Sequence, residues 1–117
     1  MQRDSVEIKA REMISALKST EEYINYLNYK SLLSNKVALW DKVNTFRKKA
    51  FEIQINQNYG QFEAYERLLR LKSDYVVELQ DPIVNAFLDA DYQLCRSMQK
   101  LFKQIADELD YDTKFLD

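Results

Sequence analysis

The chain has 117 residues, of which 46% are hydrophobic and 31% charged. That balance excludes a disordered polymer and leaves a domain-sized globular or coiled-coil-like class with enough apolar side chains for one core. A formal net charge of −2 provides no global field to draw in nucleic acid or anionic lipid. The chain holds one Gly and one Pro, where average usage would give roughly eight and six. Hairpin-rich β folds need turn glycines, so long helices joined by few connections are expected. The expected class is all-α, a bundle of about five helices in a single domain spanning 1–117.

The charge is uneven: residues 1–60 carry ten Lys/Arg against seven Asp/Glu, residues 61–117 seven against twelve. Acidic residues gather at the end, in Asp107, Glu108, Asp110, Asp112 and Asp117, and are read as a solvated end rather than a docking tail. Cys95 is the only cysteine, so no intramolecular disulfide is expected and a reducing compartment fits. The start, Met1-Gln2-Arg3-Asp4-Ser5, is followed by no apolar stretch of the signal-peptide kind. No run approaches the ~18 apolar residues of a membrane span. A cytoplasmic protein without membrane contact is expected.

In chain order, the first helix should start at Asp4 or Ser5, with Glu7 completing a capping box. Ala10, Met13, Ile14 and Leu17 give it a narrow apolar stripe. Ser19-Thr20-Glu21-Glu22 is a second capping-box pattern, opening a helix with Tyr23, Ile24, Tyr26, Leu27, Tyr29 and Leu33 that breaks near Ser34-Asn35. A third helix is expected from about Lys36 to Gln57. Its heptad seam is Leu39, Val43, Phe46, Ala50 and Ile53, widened by Val37, Trp40 and Phe51. Asn56 to Gly60 should stop it, with the glycine as terminator. A fourth helix follows from about Gln61 to Leu79, with Phe62, Tyr65, Leu69, Val76 and Leu79 on one side. Lys72 interrupts that stripe, its stem lying along the surface. A turn at Gly60 would fold helices three and four into an antiparallel hairpin, a bent rod being the alternative.

Asp81-Pro82 is the sharpest boundary, because Asp caps and Pro fits a first helical position. The last helix should run to about Leu109. Its seam is Val84, Leu88, Asp91, Cys95, Met98, Phe102, Ile105 and Leu109, alternating four and three, with Phe87, Leu94 and Leu101 widening it. About 28 residues at ~1.5 Å each span ~42 Å, against ~35 Å for a compact globule of this size. An elongated molecule is therefore expected, with the overhang covered by another chain. A seam left in water would forfeit on the order of 1.5–3 kcal/mol per large side chain, so a homodimer through the α-helical seam Val84–Leu109 is the reading.

Catalytic chemistry finds little material. Histidine is absent, which removes the commonest general base and metal ligand. Cys95 has no imidazole to activate it, and as a seam residue it is read as a small buried hydrophobe. Asp89 and Asp91 point to different helix faces, against a shared metal or an acid/base pair. Asp91 itself falls in the seam, as a boundary or register-setting residue, with a polar contact to a partner as the alternative. Asp110-Tyr111-Asp112 has the opening of a calcium loop but lacks its glycine and terminal Glu. Lys42, Arg47, Lys48 and Lys49 form a basic step. It is read as a solvated face, with RNA phosphate contact as the alternative. Tyr23, Tyr26 and Tyr29 form a row that fits a protein interface and the half-buried side of a bundle equally well.

Three stretches, in order, resemble a known family. They are Ser19-Thr20-Glu21-Glu22-Tyr23; then Val43-Asn44-Thr45-Phe46-Arg47-Lys48-Lys49-Ala50-Phe51-Glu52-Ile53-Gln54; then Asp81-Pro82-Ile83-Val84-Asn85-Ala86-Phe87-Leu88 running into Leu94-Cys95-Arg96-Ser97-Met98-Gln99. They resemble the YlbF/YmcA family of small helical proteins of Gram-positive bacteria, over about residues 5 to 110. The resemblance implies an all-helical bundle that self-associates and has no enzymatic activity. Better-known members are adaptors: they form a complex with each other and with YaaT. They influence competence, sporulation and biofilm formation, and assist mRNA processing by ribonuclease Y. Some are associated with iron–sulfur clusters, and the best-known ones carry a cysteine-bearing C-terminal tail. The sequence ends at Asp117, so no such tail is expected here; a single cysteine cannot supply the four thiolates of a typical cluster, and no cofactor is expected unless several chains contribute. The combined expectation is a non-catalytic cytoplasmic adaptor whose partners are a second copy, other family proteins or a ribonuclease complex. An RNA-binding accessory factor, or an oligomeric helical protein of unassigned function, is the alternative.

Overall fold

A computed structural model describes residues 2–110, 112 and 114, with the side chains of Gln2 and Arg3 left aside. Met1, Tyr111 and Asp117, which figured in the readings above, lie outside the described residues. Among the described residues the protein is all-α, with six helices in the order α1 (Gln2–Lys18), α2 (Glu21–Ser34), α3 (Val37–Ile55), α4 (Gln61–Asp74), α5 (Val76–Leu79) and α6 (Pro82–Glu108). Contacts gather in two units, one of Asn28–Leu88 and one of Met1–Leu27 with Asp89–Asp117.

In the first of these, α3 and α4 form an antiparallel hairpin. Lys49 meets Tyr75 across it, donating to its hydroxyl at 3.4 Å, while Lys42 pairs with Glu78 at 3.9 Å. The buried side chains are Leu33, Val43, Leu71, Val84 and Phe87. Trp40 packs edge-on against Phe87 at 5.3 Å, and Phe46 edge-on against Tyr75 at 5.5 Å, geometries that suit the ring quadrupoles. The α3 seam falls as expected: Val43 is buried and Leu39, Trp40, Phe46, Ala50 and Ile53 are half-buried. Val37 and Phe51, expected to widen it, are exposed. They sit ~80–120° around the helix from Val43, past the edge of the packed face.

Helix α4 corrects its expected face. Phe62, Tyr65, Leu69 and Val76 are exposed, while Leu71 is buried and Ala64, Leu68 and Tyr75 are half-buried. The helix carries two apolar stripes, and the line 64-68-71-75 is the one turned to α3. The expected continuous helix to Leu79 also breaks, at Tyr75, whose φ of −111° and ψ of 24° leave the helical region. The polar pair Ser73-Asp74 precedes the break and β-branched Val76-Val77 follows it, so propensity is low on both sides. Tyr75 is held there by Phe46 and by the Lys49 ammonium 5.5 Å over its ring.

The turn between α3 and α4 is built on Asn56. Its backbone N–H donates to the Ile53 carbonyl, and its side-chain oxygen accepts from Asn58 N–H at 2.9 Å, a local side-chain turn. The stretch that starts at Asn56 ends α3 at Ile55 as expected, and Gly60 itself serves the next helix. With φ −72° and ψ 171° it is the extended N-cap of α4, and its carbonyl accepts from Ala64 N–H at 3.0 Å.

In the other unit, α1 already begins at Gln2, so Asp4 lies in its first turn rather than capping it. There its charge complements the helix dipole. Glu7–Arg11 and Lys9–Glu12 pairs decorate the exposed side, each worth a few tenths of a kcal/mol at most. Thr20 joins α1 to α2: its hydroxyl donates to the Leu17 carbonyl at 2.7 Å and accepts from Tyr23 N–H at 3.3 Å. Thr20, not Ser19, is therefore the cap, and its third helical residue is Tyr23. The carboxylate arm of the expected capping box has no place in this register.

Candidate interaction surface

The boundary expected at Asp81-Pro82 is built as the residues dictate. The Asp81 carboxylate accepts from the N–H groups of Ile83 at 2.8 Å and Val84 at 3.3 Å. Pro82 occupies the first helical position, where no N–H is missed. The Asn85 side-chain amide donates back to the Leu79 carbonyl, tying the end of α5 to the start of α6. From this anchored start α6 runs for 27 residues, ~40 Å at the helical rise.

The expected seam residues divide along that length. Val84 and Phe87 are buried, and Leu88, Asp91, Leu94 and Leu101 half-buried. Cys95, Met98, Phe102, Ile105 and Leu109 are exposed, Phe102 to 57% and Leu109 to 74%. At ~100° per residue, Leu94, Ser97 and Leu101 fall on one edge of the apolar arc, and that edge is the covered one. The line from Cys95 to Leu109 runs beside it, uncovered within the chain. Cys95, read as a small hydrophobe of the seam, is exposed within the single chain, on the open side of the arc. Asp91 is half-buried and engaged in a polar interaction; Asp89 is exposed on another face.

The basic step on α3 is largely occupied within its own unit. Arg47 is half-buried, donating to the Asn44 side-chain oxygen at 3.0 Å and lying 5.0 Å over the Phe87 ring. Lys42 faces Glu78 and Lys49 covers Tyr75. Lys42 and Lys49 nevertheless remain exposed, where such contacts are weak. Lys48 is exposed. Tyr23, Tyr26 and Tyr29 are each half-buried.

One feature escaped the sequence reading. A groove of about 400 Å³ opens between α3 and α4, with Leu71 and Ile53 in its lining. Lys49, Arg67 and Arg70 line it, and so do Glu52 and Asp74. Arg67 is already held by Glu63 at 3.1 Å and stacked 4.3 Å over Tyr59. Its residues lie on both sides of the Gly60 turn, so no local pattern announces it. Among the described residues no three His, Cys, Asp or Glu side chains gather as a metal site would require. Cys95 is the one thiol of the chain. Among the described residues no helix is long and apolar enough to cross a membrane.

The sequence model of the family described as "Control of competence regulator ComK, YlbF/YmcA" matches residues 6–110, nearly the whole described chain. The chain belongs to the YlbF/YmcA family. That description gives it a regulatory role. The chain is also similar to a UPF0342 protein of Caldicellulosiruptor bescii, 24% identical over 102 residues that cover 87% of this chain and 86% of the relative. A second UPF0342 protein, from Symbiobacterium thermophilum, is 26% identical over 106 residues, covering 91% of this chain and 95% of the relative. No solved structure matches. As in the resemblance drawn from the three stretches above, the match runs through all of α2 to α6 and most of α1.

Proposed function

We propose that this YlbF/YmcA protein is a non-catalytic cytoplasmic adaptor that acts by protein–protein contact and self-associates through α6. The observation that carries the reading is the open half of the α6 seam. Met98, Phe102, Ile105 and Leu109 recur at intervals of four, three and four, and each is at least 38% exposed. Covering such side chains is worth ~1.5–3 kcal/mol each when burial is complete. A regular heptad line is the pattern that another helix covers best. The regulatory description of the family supports the reading, and by resemblance the partners extend to other family proteins and to a ribonuclease Y complex.

The test is direct. Light scattering at micromolar concentration should give twice the 14.0 kDa chain mass for the wild type. Phe102→Glu with Leu109→Glu should give the monomer with helical content unchanged. A wild-type monomer would overturn the self-association part of the reading. The RNA-binding alternative rests on Lys42, Arg47, Lys48 and Lys49, three of which make weak contacts within the hairpin unit. A salt-sensitive gel shift with single-stranded RNA at physiological ionic strength would support it.

A further inference from the structure

We propose that the groove between α3 and α4 seats a helix of a partner protein, one that presents an acidic, an apolar and a basic side chain in a row at positions i, i+4 and i+7. The inference deepens the adaptor reading: it rests on the protein-contact part of that reading and not on pairing through α6. Every residue it uses lies within the Asn28–Leu88 unit.

The charges of the groove are sorted along its length. Lys49 lies opposite Tyr75 in an antiparallel hairpin, so Ile53 and Leu71 fall level with one another midway along. Toward the Gly60 turn the lining carries Arg67 and Arg70, and the side chains that face them, Asn56 and Tyr59, are uncharged. Toward α5 it carries Asp74, with Glu52 and Lys49 across from it. The turn end thus holds two cations, and the far end two carboxylates against one cation. A uniformly acidic occupant would meet Glu52 and Asp74, and a uniformly basic one Arg67 and Arg70. An occupant with its acid at the turn end and its base at the far end meets neither repulsion.

These charges are largely unspent inside the chain. Arg70, Glu52 and Asp74 enter no ion pair among the described residues. Lys49 is exposed, and its hydrogen bond to Tyr75 is long at 3.4 Å. Arg67 is held by Glu63 and by the Tyr59 ring, which limits its rotamers before an occupant arrives and leaves it N–H donors to spare. The spacing selects a helix as the carrier. Arg67, Leu71 and Asp74 follow at intervals of four and three, so they share one face of α4 and span ~10 Å at the helical rise. A further helix laid along the furrow repeats that spacing with its own side chains, as in helix-in-groove recognition.

The experiment titrates three end-blocked, alanine-based helical peptides into the isotope-labelled full chain. At i, i+4 and i+7 they carry Glu, Leu and Lys; Glu, Leu and Glu; or Lys, Leu and Lys. Heteronuclear NMR reads both affinity and place. The mixed-charge peptide should bind tightest, by roughly fivefold over either other, and should shift the resonances of Ile53, Leu71 and Asp74. In Asp74→Lys the preference should pass to the all-acidic peptide; Glu52→Lys carries the same expectation and replaces it if the first variant melts early. Equal or tighter binding of the all-acidic or the all-basic peptide to the wild type overturns the proposal. So does an unchanged preference in a folded variant, or no saturable binding at millimolar peptide. Groove resonances that shift with protein concentration alone would seat a second copy there and overturn the assignment to a partner protein. Light scattering on the same samples reports pairing through α6 separately. A monomer that prefers the mixed-charge peptide removes the pairing and keeps this site, and a dimer that binds no peptide does the reverse.

Discussion

Thr20 shows how much one side chain can do in a joint of this kind. Its hydroxyl hydrogen is donated to the Leu17 carbonyl at the end of α1, and its oxygen accepts the Tyr23 N–H that opens α2. The Tyr23 N–H is a helix-end orphan that would otherwise need water, whereas the Leu17 carbonyl also accepts the Thr20 N–H at 3.1 Å. Thr20→Ala should lower unfolding stability by about 1 kcal/mol, seen as a lower urea midpoint with an unchanged slope. Thr20→Ser, which keeps the hydroxyl, should stay within a few tenths of the wild type. Gly60 is the opposite case. Its φ of −72° suits any residue, and a Cβ there would meet nothing within 4 Å. The glycine then costs unfolded-state entropy without a conformational need, and it lacks the side-chain cap that α4 could use. Gly60→Ser should therefore stabilise by about 0.5–1 kcal/mol, read in the same urea titration. A lower midpoint would show that this turn tolerates only glycine.

At the scale of the element, existence and type were legible, and the choice of face was legible only where one apolar stripe dominates. The near absence of Gly and Pro, and the Asp81-Pro82 punctuation, placed α3 and α6 within a few residues of their observed bounds. The α3 line Leu39-Val43-Phe46-Ala50-Ile53 had no rival on its helix and proved to be the packed side. Helix α4 had two candidate stripes, and only tertiary contact decides between them. Phe62, Tyr65 and Leu69 carry more apolar bulk than Ala64, Leu68 and Leu71, so periodicity and size favoured the face that solvent receives. The same limit applies within α6, where the covered and open halves of the apolar arc could not be told apart. The break at Tyr75 was hidden for another reason, since the ring contacts that hold it come from α3, far away in sequence. The α4 assignment is checkable by a pair of truncations. Leu71→Ala, at a buried position, should cost about 2–5 kcal/mol. Leu69→Ala, two residues away and 48% exposed, should shift stability by about 0.5 kcal/mol or less. Equal losses would mean that both faces of α4 are covered in solution.

At the scale of the whole molecule, the proposed pairing through α6 would make self-association and folding stability one quantity. A folded chain that pairs through α6 draws its unfolding equilibrium toward the native state by mass action, so its melting point must depend on its own concentration. A hundredfold increase in concentration above the dissociation constant adds roughly 2.7 kcal/mol per dimer, which for a domain of this size corresponds to a rise of several degrees. Phe102→Glu places a charge on the open seam at a residue already 57% exposed. It should leave the melting point of the isolated chain nearly unchanged and abolish its concentration dependence. Leu71→Ala should do the reverse, lowering the melting point at every concentration while keeping the slope. The two variants thus separate residues that hold the hairpin from residues that hold the partner. A concentration-independent wild type would instead require that the open line from Met98 to Leu109 be covered by a different protein. The regulatory contact would then be made there directly, rather than on a surface that self-association leaves free.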